Sequence, residues 1–160
     1  MYPHVDLICI NENATTYTGI EREMQFDKYN EADTAYHSNI VFSKSLDGAE
    51  TWSNPIEINS VYGDCLDDDN TVEGATPAVG PNGEIYVAWT GPNGIAFNRS
   101  KDNGVTWLKD EIKIADHAEG WTIDIPGIYR CNGLPILKCD FSDGPNTVSY
   151  THLRAHETRI

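Results

Sequence analysis

One eight-residue stretch, Ser100-Lys101-Asp102-Asn103-Gly104-Val105-Thr106-Trp107, is nearly repeated 55 residues earlier as Ser45-Leu46-Asp47-Gly48-Ala49-Glu50-Thr51-Trp52. Asp and Ser side chains at this spacing can hydrogen-bond to the backbone of their own turn, which locks a tight connection between two strands. Gly104 suits a backbone conformation that side chains oppose, and Trp107 offers a large apolar surface for fixing the turn against its sheet. Two such turns at this interval predict a repeat architecture.

Strand patterns dominate around these turns, and no amphipathic helical period is evident. The clearest strands are predicted at 76–79, 84–90, 95–99 and 111–114. Asn82-Gly83 supplies a hairpin turn after the first of them, and alternation in the second places Ile85, Val87 and Trp89 on one face. Four strands in about 40 residues are typical of one blade of a β-propeller.

The remaining segments fit this architecture less completely. Further strands are predicted at 5–10, 35–43, 56–58, 128–131 and 135–139. The stretch 11–33 is polar and has no clear pattern. We therefore predict an all-β fold, a partial β-propeller with four-stranded antiparallel blades at about 1–60 and 61–116 and an incomplete blade at 117–147.

The two turns resemble the Asp-box of sialidases and of other bacterial neuraminidase repeat (BNR) proteins. The segments 72–87 and 124–133 are also similar to parts of secreted bacterial proteins of the exo-α-sialidase type, so the resemblance covers about 35–146. It implies a six-bladed sialidase-like β-propeller, secreted or at the cell surface, of which this chain would be a fragment with two to three blades and no signal peptide. The structural Asp-box residues are then Ser45, Asp47, Thr51, Trp52, Ser100, Asp102, Gly104, Thr106 and Trp107.

The resemblance further implies a glycoside hydrolase that acts on terminal sugars of glycans. Enzymes of this family clamp the sugar carboxylate with three arginines, and they use a Tyr activated by a Glu as nucleophile and an Asp as acid/base. The candidates in this chain are Arg130, Tyr129, Asp124 and Glu73. Three of them have structural alternatives: a strand ion pair for Arg130, a solvated loop for Asp124 and a turn-bracing role for Glu73.

The set of arginines is sparse for such an enzyme. An Arg-Ile-Pro segment, which usually carries the first clamp arginine, is absent, and Ala49 stands where the Asp-box usually has Gly. The alternative function is a non-catalytic Asp-box propeller that binds glycans or proteins. Because the clamp is spread over several blades, we expect this chain by itself to be inactive. The expected partner is a glycan or glycoprotein.

The net charge of the chain limits the classes of partner that it can bind. It has 25 acidic and 11 basic residues and a formal net charge of −14, which argues against nucleic acid and anionic membranes. No run of 18 apolar residues predicts a membrane span. Calcium is the single candidate cofactor, because Asp64, Asp67 and Asp69 supply hard oxygen ligands; this run lacks the Gly and the final Glu of an EF-hand loop and can also be a solvated acidic loop.

The residues from about Val148 onward lack the blade pattern and resemble a peptide encoded by translated sequencing-adapter DNA. We therefore expect 148–160 to be a non-native tail and do not interpret its His152 and His156 as a zinc pair. Upstream, Cys131 and Cys139 bracket a turn and could close a hairpin disulfide in an oxidising compartment.

Overall fold

The computed structural model describes 38–64, 70–116, 126–128 and 133–140 in full, and the backbone of three further strands at 5–8, 17–23 and 150–153. This part of the chain is all-β with antiparallel sheets, which confirms the all-β part of the prediction. Its strands are β1 (Val5–Ile8), β2 (Tyr17–Glu23), β3 (Asn39–Ser45), β4 (Ile56–Glu57), β5 (Glu73–Val79), β6 (Ile85–Gly91), β7 (Gly94–Ser100), β8 (Ile112–Ala115), β9 (Ile136–Cys139) and β10 (Tyr150–Leu153).

These strands form three sheets. The first sheet has the order β1-β2-β3-β4, the second sheet has the order β5-β6-β7-β8, and the third sheet pairs β9 with β10. In the first and second sheets each strand pairs with its neighbour in sequence, so both are up-and-down meanders. The arrangement of these sheets as blades of a propeller remains a prediction.

Two strands lie where the sequence predicted none. β2 falls within the polar stretch 11–33 and pairs with β3 along its whole length. Its sequence, Tyr17-Thr18-Gly19-Ile20-Glu21-Arg22-Glu23, is a weak local signal, because strand formation depends strongly on neighbours across the sheet. β10 lies within the predicted tail and pairs with β9.

β6 forms the centre of the described core, and all of its residues are buried. Its Val87 and Trp89 pack on one face with Phe42 of the first sheet. Its Tyr86, on the opposite face, packs with Leu137 of the third sheet. The second sheet therefore lies between the other two, and each large apolar side chain buried there contributes about 1.5–3 kcal/mol.

The second of the two turns that resemble an Asp-box (called Asp-box turns below), Ser100–Trp107, joins the second sheet to the first. The Trp107 ring lies edge-on to the Phe42 ring of β3, with the ring centroids 5.0 Å apart and an interplanar angle of 61°. Gly104 approaches the same ring so closely that a Cβ atom would overlap it. The sequence predicted that Trp107 fixes the turn against its own sheet, but the structure shows that it also bridges to the neighbouring sheet. Trp52, at the equivalent position of the first turn, is 38% exposed.

Replacing Trp107 by Ala should destabilise the fold more than replacing Trp52 by Ala. Removal of a large aromatic side chain from a packed core costs about 3–5 kcal/mol. Because Trp107 contacts both sheets, we expect W107A to lower the free energy of unfolding by about 3 kcal/mol and W52A by less than about half of that. Urea denaturation followed by circular dichroism measures both, and equal losses would contradict a joining role for Trp107.

Candidate functional site

Each Asp-box turn is closed by hydrogen bonds from its own side chains. In the first turn, the Ser45 hydroxyl donates to Asp47 Oδ1 (2.7 Å) and accepts from the backbone N–H of Ala49 (2.9 Å). Asp47 Oδ1 also accepts from the backbone N–H of Thr51 (2.9 Å), and Asp47 Oδ2 accepts from the Thr51 hydroxyl (2.5 Å). Both oxygens of this carboxylate are therefore engaged within the turn.

The second turn makes the same hydrogen bonds from equivalent positions. The Ser100 hydroxyl donates to Asp102 Oδ1 (2.7 Å) and accepts from the backbone N–H of Gly104 (2.8 Å). Asp102 accepts from both the backbone N–H (2.8 Å) and the hydroxyl (2.6 Å) of Thr106. The shared Ser, Asp and Thr residues thus form a self-contained structural unit in each turn.

These hydrogen bonds keep both Asp-box carboxylates ionised down to low pH. The Thr51 hydroxyl and N–H, and then the Ser45 hydroxyl, lower the pKa of Asp47 from 3.8 to about 2. Thr106, and then Ser100, lower the pKa of Asp102 from 3.8 to about 2 in the same way. A carboxyl group with so low a pKa is a poor general acid or base near neutral pH.

The stability of the fold should fall in acid because of these two groups. Their folded-state pKa of about 2 lies below the ordinary value of 3.8, so the unfolded chain takes up protons first as the pH drops. The stabilisation is present above about pH 4 and is lost between about pH 4 and pH 2. The melting temperature should fall across this window, and the double variant D47N/D102N should start lower and fall less. An acid transition of unchanged size in that variant would contradict this assignment.

The two turns differ in backbone strain. Both contain two successive residues with positive φ, which are Gly48 (78°) and Ala49 (69°) in the first turn and Asn103 (57°) and Gly104 (77°) in the second. A positive φ costs an Ala residue roughly 1–2 kcal/mol, whereas Asn, as at position 103, tolerates it better because its short polar side chain can hydrogen-bond locally. Ala49 therefore adopts, at a cost, the conformation that Gly104 adopts freely.

The variant A49G should stabilise the protein by about 0.5–1 kcal/mol, because the strain at this position outweighs the added freedom of Gly in the unfolded chain. The matched variant G104A should destabilise it by more, since Ala would need a positive φ there and its Cβ would overlap the Phe42 ring. Urea denaturation measures both changes. No gain in A49G would show that Ala49 carries no strain.

The end of the second sheet away from the Asp-boxes holds a carboxylate and a hairpin in place of a hydrogen-bonded turn. β5 and β7 both pair antiparallel with β6, so both run toward the Asp-box end. The opposite end therefore holds Glu73, the first residue of β5, and the hairpin Gly91–Gly94 between β6 and β7. Loops on a rigid sheet are where binding and catalytic groups concentrate.

Glu73 is a buried carboxylate at this end of the sheet. It is 3% exposed, and its Oε1 atom accepts a hydrogen bond from the Thr71 hydroxyl (2.6 Å). This bond braces the chain where it enters β5, which is the structural alternative considered for Glu73. Across the sheet, Glu73 lies opposite Thr90 of β6, which is 4% exposed.

A β-bulge separates Glu73 from the regular part of β5. The register shifts between Glu73 and Thr76, and Gly74 within the bulge has a φ of 64°. A Cβ atom on Gly74 would lie 2.5 Å from Leu134 Cδ2, and the Thr76 hydroxyl donates to the carbonyl of Pro135 (2.9 Å). The chain before β9 thus packs closely against this end, and bulges often re-aim a side chain next to an active site.

The structure describes one of the predicted catalytic residues, Glu73. Asp124, Tyr129 and Arg130 lie outside the described residues, so it does not show whether they approach Glu73. Arg99 is the single arginine whose side chain falls in the described ranges. It directly precedes the second Asp-box turn, at the end of β7 that is far from Glu73.

The calcium candidates are described only in part. Asp64 is described, and its backbone N–H donates to the carbonyl of Asn70 (3.0 Å), which closes the acidic loop. Asp67 and Asp69 lie outside the described residues. Among the residues that are described, no three His, Cys, Asp or Glu side chains are placed to hold a metal ion. Calcium binding by this loop stays a prediction.

Sequence reasoning missed a carboxylate that joins the first and second sheets. Glu111, just before β8, accepts from the backbone N–H groups of Ser60 (2.6 Å) and Val61 (2.9 Å) and from the Ser60 hydroxyl. Burial raises the pKa of Glu111, but these hydrogen bonds outweigh it and hold the pKa below 4.5. The three residues also line a cleft of about 200 Å³, together with Trp89 and Lys113. The partners are 50 or more residues apart, so no local pattern shows this contact.

Cys139 of β9 has a free thiol that is half-buried. Burial, and then the nearby Glu84 carboxylate, raise the pKa of this thiol, so little of the nucleophilic thiolate forms at neutral pH. The hairpin disulfide considered for Cys139 is not formed in this structure, and Cys131 lies outside the described residues.

No protein-family model matches this sequence, and no curated protein gives a significant match. In the part of the chain that the structure describes, no helix is long and apolar enough to cross a membrane.

Proposed function

We propose that the first and second sheets are consecutive blades of a sialidase-like β-propeller, in a secreted or cell-surface glycoside hydrolase that acts on terminal sugars of glycans. The pair of Asp-box turns carries this proposal. Both turns follow the third strand of a four-stranded meander, and both make the same hydrogen bonds. A repeated turn at the same place in adjacent sheets is expected of successive blades.

We place the sugar-binding site at the end of the sheets away from the Asp-boxes. Each Asp-box carboxylate has both oxygens engaged in its own turn. Glu73, at the opposite end, is a buried carboxylate that can accept a hydrogen bond from a sugar hydroxyl or take a proton from a nucleophile. The resemblance adds Tyr129 as nucleophile, Arg130 as a clamp residue and Asp124 as acid/base.

A second candidate is a non-catalytic propeller that binds glycans or proteins. The position of Arg99 favours it, because this arginine lies next to the Asp-box end and not beside Glu73. A carboxylate clamp needs several guanidinium groups converging on one point. From this chain alone we expect binding of a glycan without its hydrolysis.

Binding of 3′-sialyllactose to the wild-type chain and to E73Q tests the proposed site. Gln keeps the size of the side chain and an oxygen for the Thr71 hydrogen bond, but it removes the negative charge. We expect E73Q to bind at least about tenfold more weakly in calorimetry, because hydrogen bonds to charged groups contribute about 1.5–3 kcal/mol. The control variant D102N, altered at the other end, should lose stability and keep its affinity.

Lactose distinguishes the two candidate functions in the same experiment. Preference for 3′-sialyllactose over lactose supports a sialidase-type site, since the sugar carboxylate is what the arginine clamp recognises. Equal binding of both favours the non-catalytic glycan-binding propeller. Absence of binding to either glycan would overturn glycan recognition by this chain.

A further inference from the structure

We propose that the cleft between the first and second sheets binds one neutral sugar unit of a glycan, which the side chains of Asp110 and Asn93 hold by hydrogen bonds. The class of ligand rests on the proposed function. The site itself is additional, because Glu73 does not line this inter-sheet cleft.

The inter-sheet cleft lies where a ligand can reach it. It is bounded by residues 60–61 after β4, by the β6–β7 hairpin at 91–94 and by residues 110–113 at the start of β8. Most of its polar lining and part of its apolar lining are exposed, namely Ser60, Val61, Pro92, Asn93, Asp110 and Lys113. The cleft therefore opens to solvent, and it includes the hairpin at the end of the second sheet away from the Asp-boxes.

The walls of the cleft are held together by Glu111. Its carboxylate accepts hydrogen bonds from the backbone N–H groups of Ser60 (2.6 Å) and Val61 (2.9 Å), which fixes this segment against the second sheet. A site whose walls are already fixed loses less conformational freedom on binding. The volume of about 200 Å³ lies below the roughly 300–1,000 Å³ of sites for drug-sized ligands, so the cleft suits one sugar ring.

Two polar side chains of the cleft are left available to a ligand. Among the described residues, neither Asp110 nor Asn93 has a side-chain hydrogen bond or an ion pair. Lys113, by contrast, is paired with Asp116 Oδ1 at 2.7 Å. A carboxylate accepts hydrogen bonds, whereas an amide both donates and accepts them. Together they match the neighbouring hydroxyl groups of a sugar ring, which also donate and accept.

The charges of the lining favour a neutral sugar. The cleft holds the carboxylates of Asp110 and Glu111, and its ammonium group, on Lys113, is already paired. An anionic sugar such as sialic acid would therefore be repelled. A small cation would pair with the exposed Asp110, and exposed ion pairs contribute only about 0–1 kcal/mol.

The apolar part of the lining supports the same choice. Val61 and Pro92 are exposed apolar residues of the cleft, against which the C–H groups of a sugar ring can pack. In 3′-sialyllactose the neutral lactose part then occupies the cleft, and the sialic acid lies outside it.

The test is a titration of the chain with lactose, followed by NMR. It compares the wild type with D110N, which removes the charge and keeps the shape, and with N93A, which removes the amide. The control E50Q removes one negative charge from an exposed residue of the first Asp-box turn, outside the cleft. Backbone amide shifts of the 91–94 hairpin and of 110–113 locate the bound sugar, and their dependence on lactose concentration gives the affinity.

We expect lactose to shift these amides in the wild type and to bind D110N about tenfold more weakly, because hydrogen bonds to charged groups are the stronger ones. N93A should bind about threefold more weakly. E50Q and E73Q should bind lactose like the wild type. All of the cleft variants should keep the wild-type melting temperature, since they alter exposed side chains.

Two results would overturn the cleft site and leave the proposed function standing. One is wild-type lactose affinity in D110N, and the other is binding of 3′-sialyllactose by a chain that does not bind lactose. Failure of the wild-type chain to bind either glycan would overturn the proposed function, and the cleft site with it.

Discussion

The packing of the second Asp-box turn on Phe42 is the contact on which the described arrangement of sheets depends. Trp107 covers one edge of the Phe42 ring, and Gly104 approaches it where no side chain would fit. This contact is possible because Asp102 and Ser100 hold the turn in one conformation. A local hydrogen-bonded turn thereby sets how two neighbouring sheets meet.

The two ends of the second sheet handle their polar groups differently. At the Asp-box end, the Ser, Asp and Thr side chains of each turn hydrogen-bond one another, and the low pKa of Asp102 reflects how fully its carboxylate is hydrogen-bonded. The buried Trp107 Nε1 atom of the second turn has no partner among the described residues. At the other end, Glu73 and Thr90 are buried side by side, and the Thr90 hydroxyl has no partner. Native proteins rarely leave buried polar groups unpaired.

Much of the fold could be predicted where the signal is local. The alternation of Ile85, Val87 and Trp89 placed these residues on one face, and they pack together in the structure. The strand β2 could not be found this way, because its pairing with β3 joins residues that are 16 (Glu23 and Asn39) to 28 (Tyr17 and Ser45) positions apart. For the candidate site, the sequence singled out Glu73 but gave no signal for Thr90, whose position beside it follows from the β5–β6 register.

The sequence by itself determined the two Asp-box turns, since every hydrogen bond that closes them joins residues at most four positions apart. It also determined the β character of the chain, which follows from alternation and turn residues. Only the tertiary structure decided which sheets touch, that Trp107 reaches Phe42, that Glu111 binds Ser60, and that Thr90 lies buried beside Glu73. The physical reason is the separation in sequence between the residues in contact. A turn satisfies its own hydrogen bonds within a few residues, whereas these contacts form only when distant segments pack together.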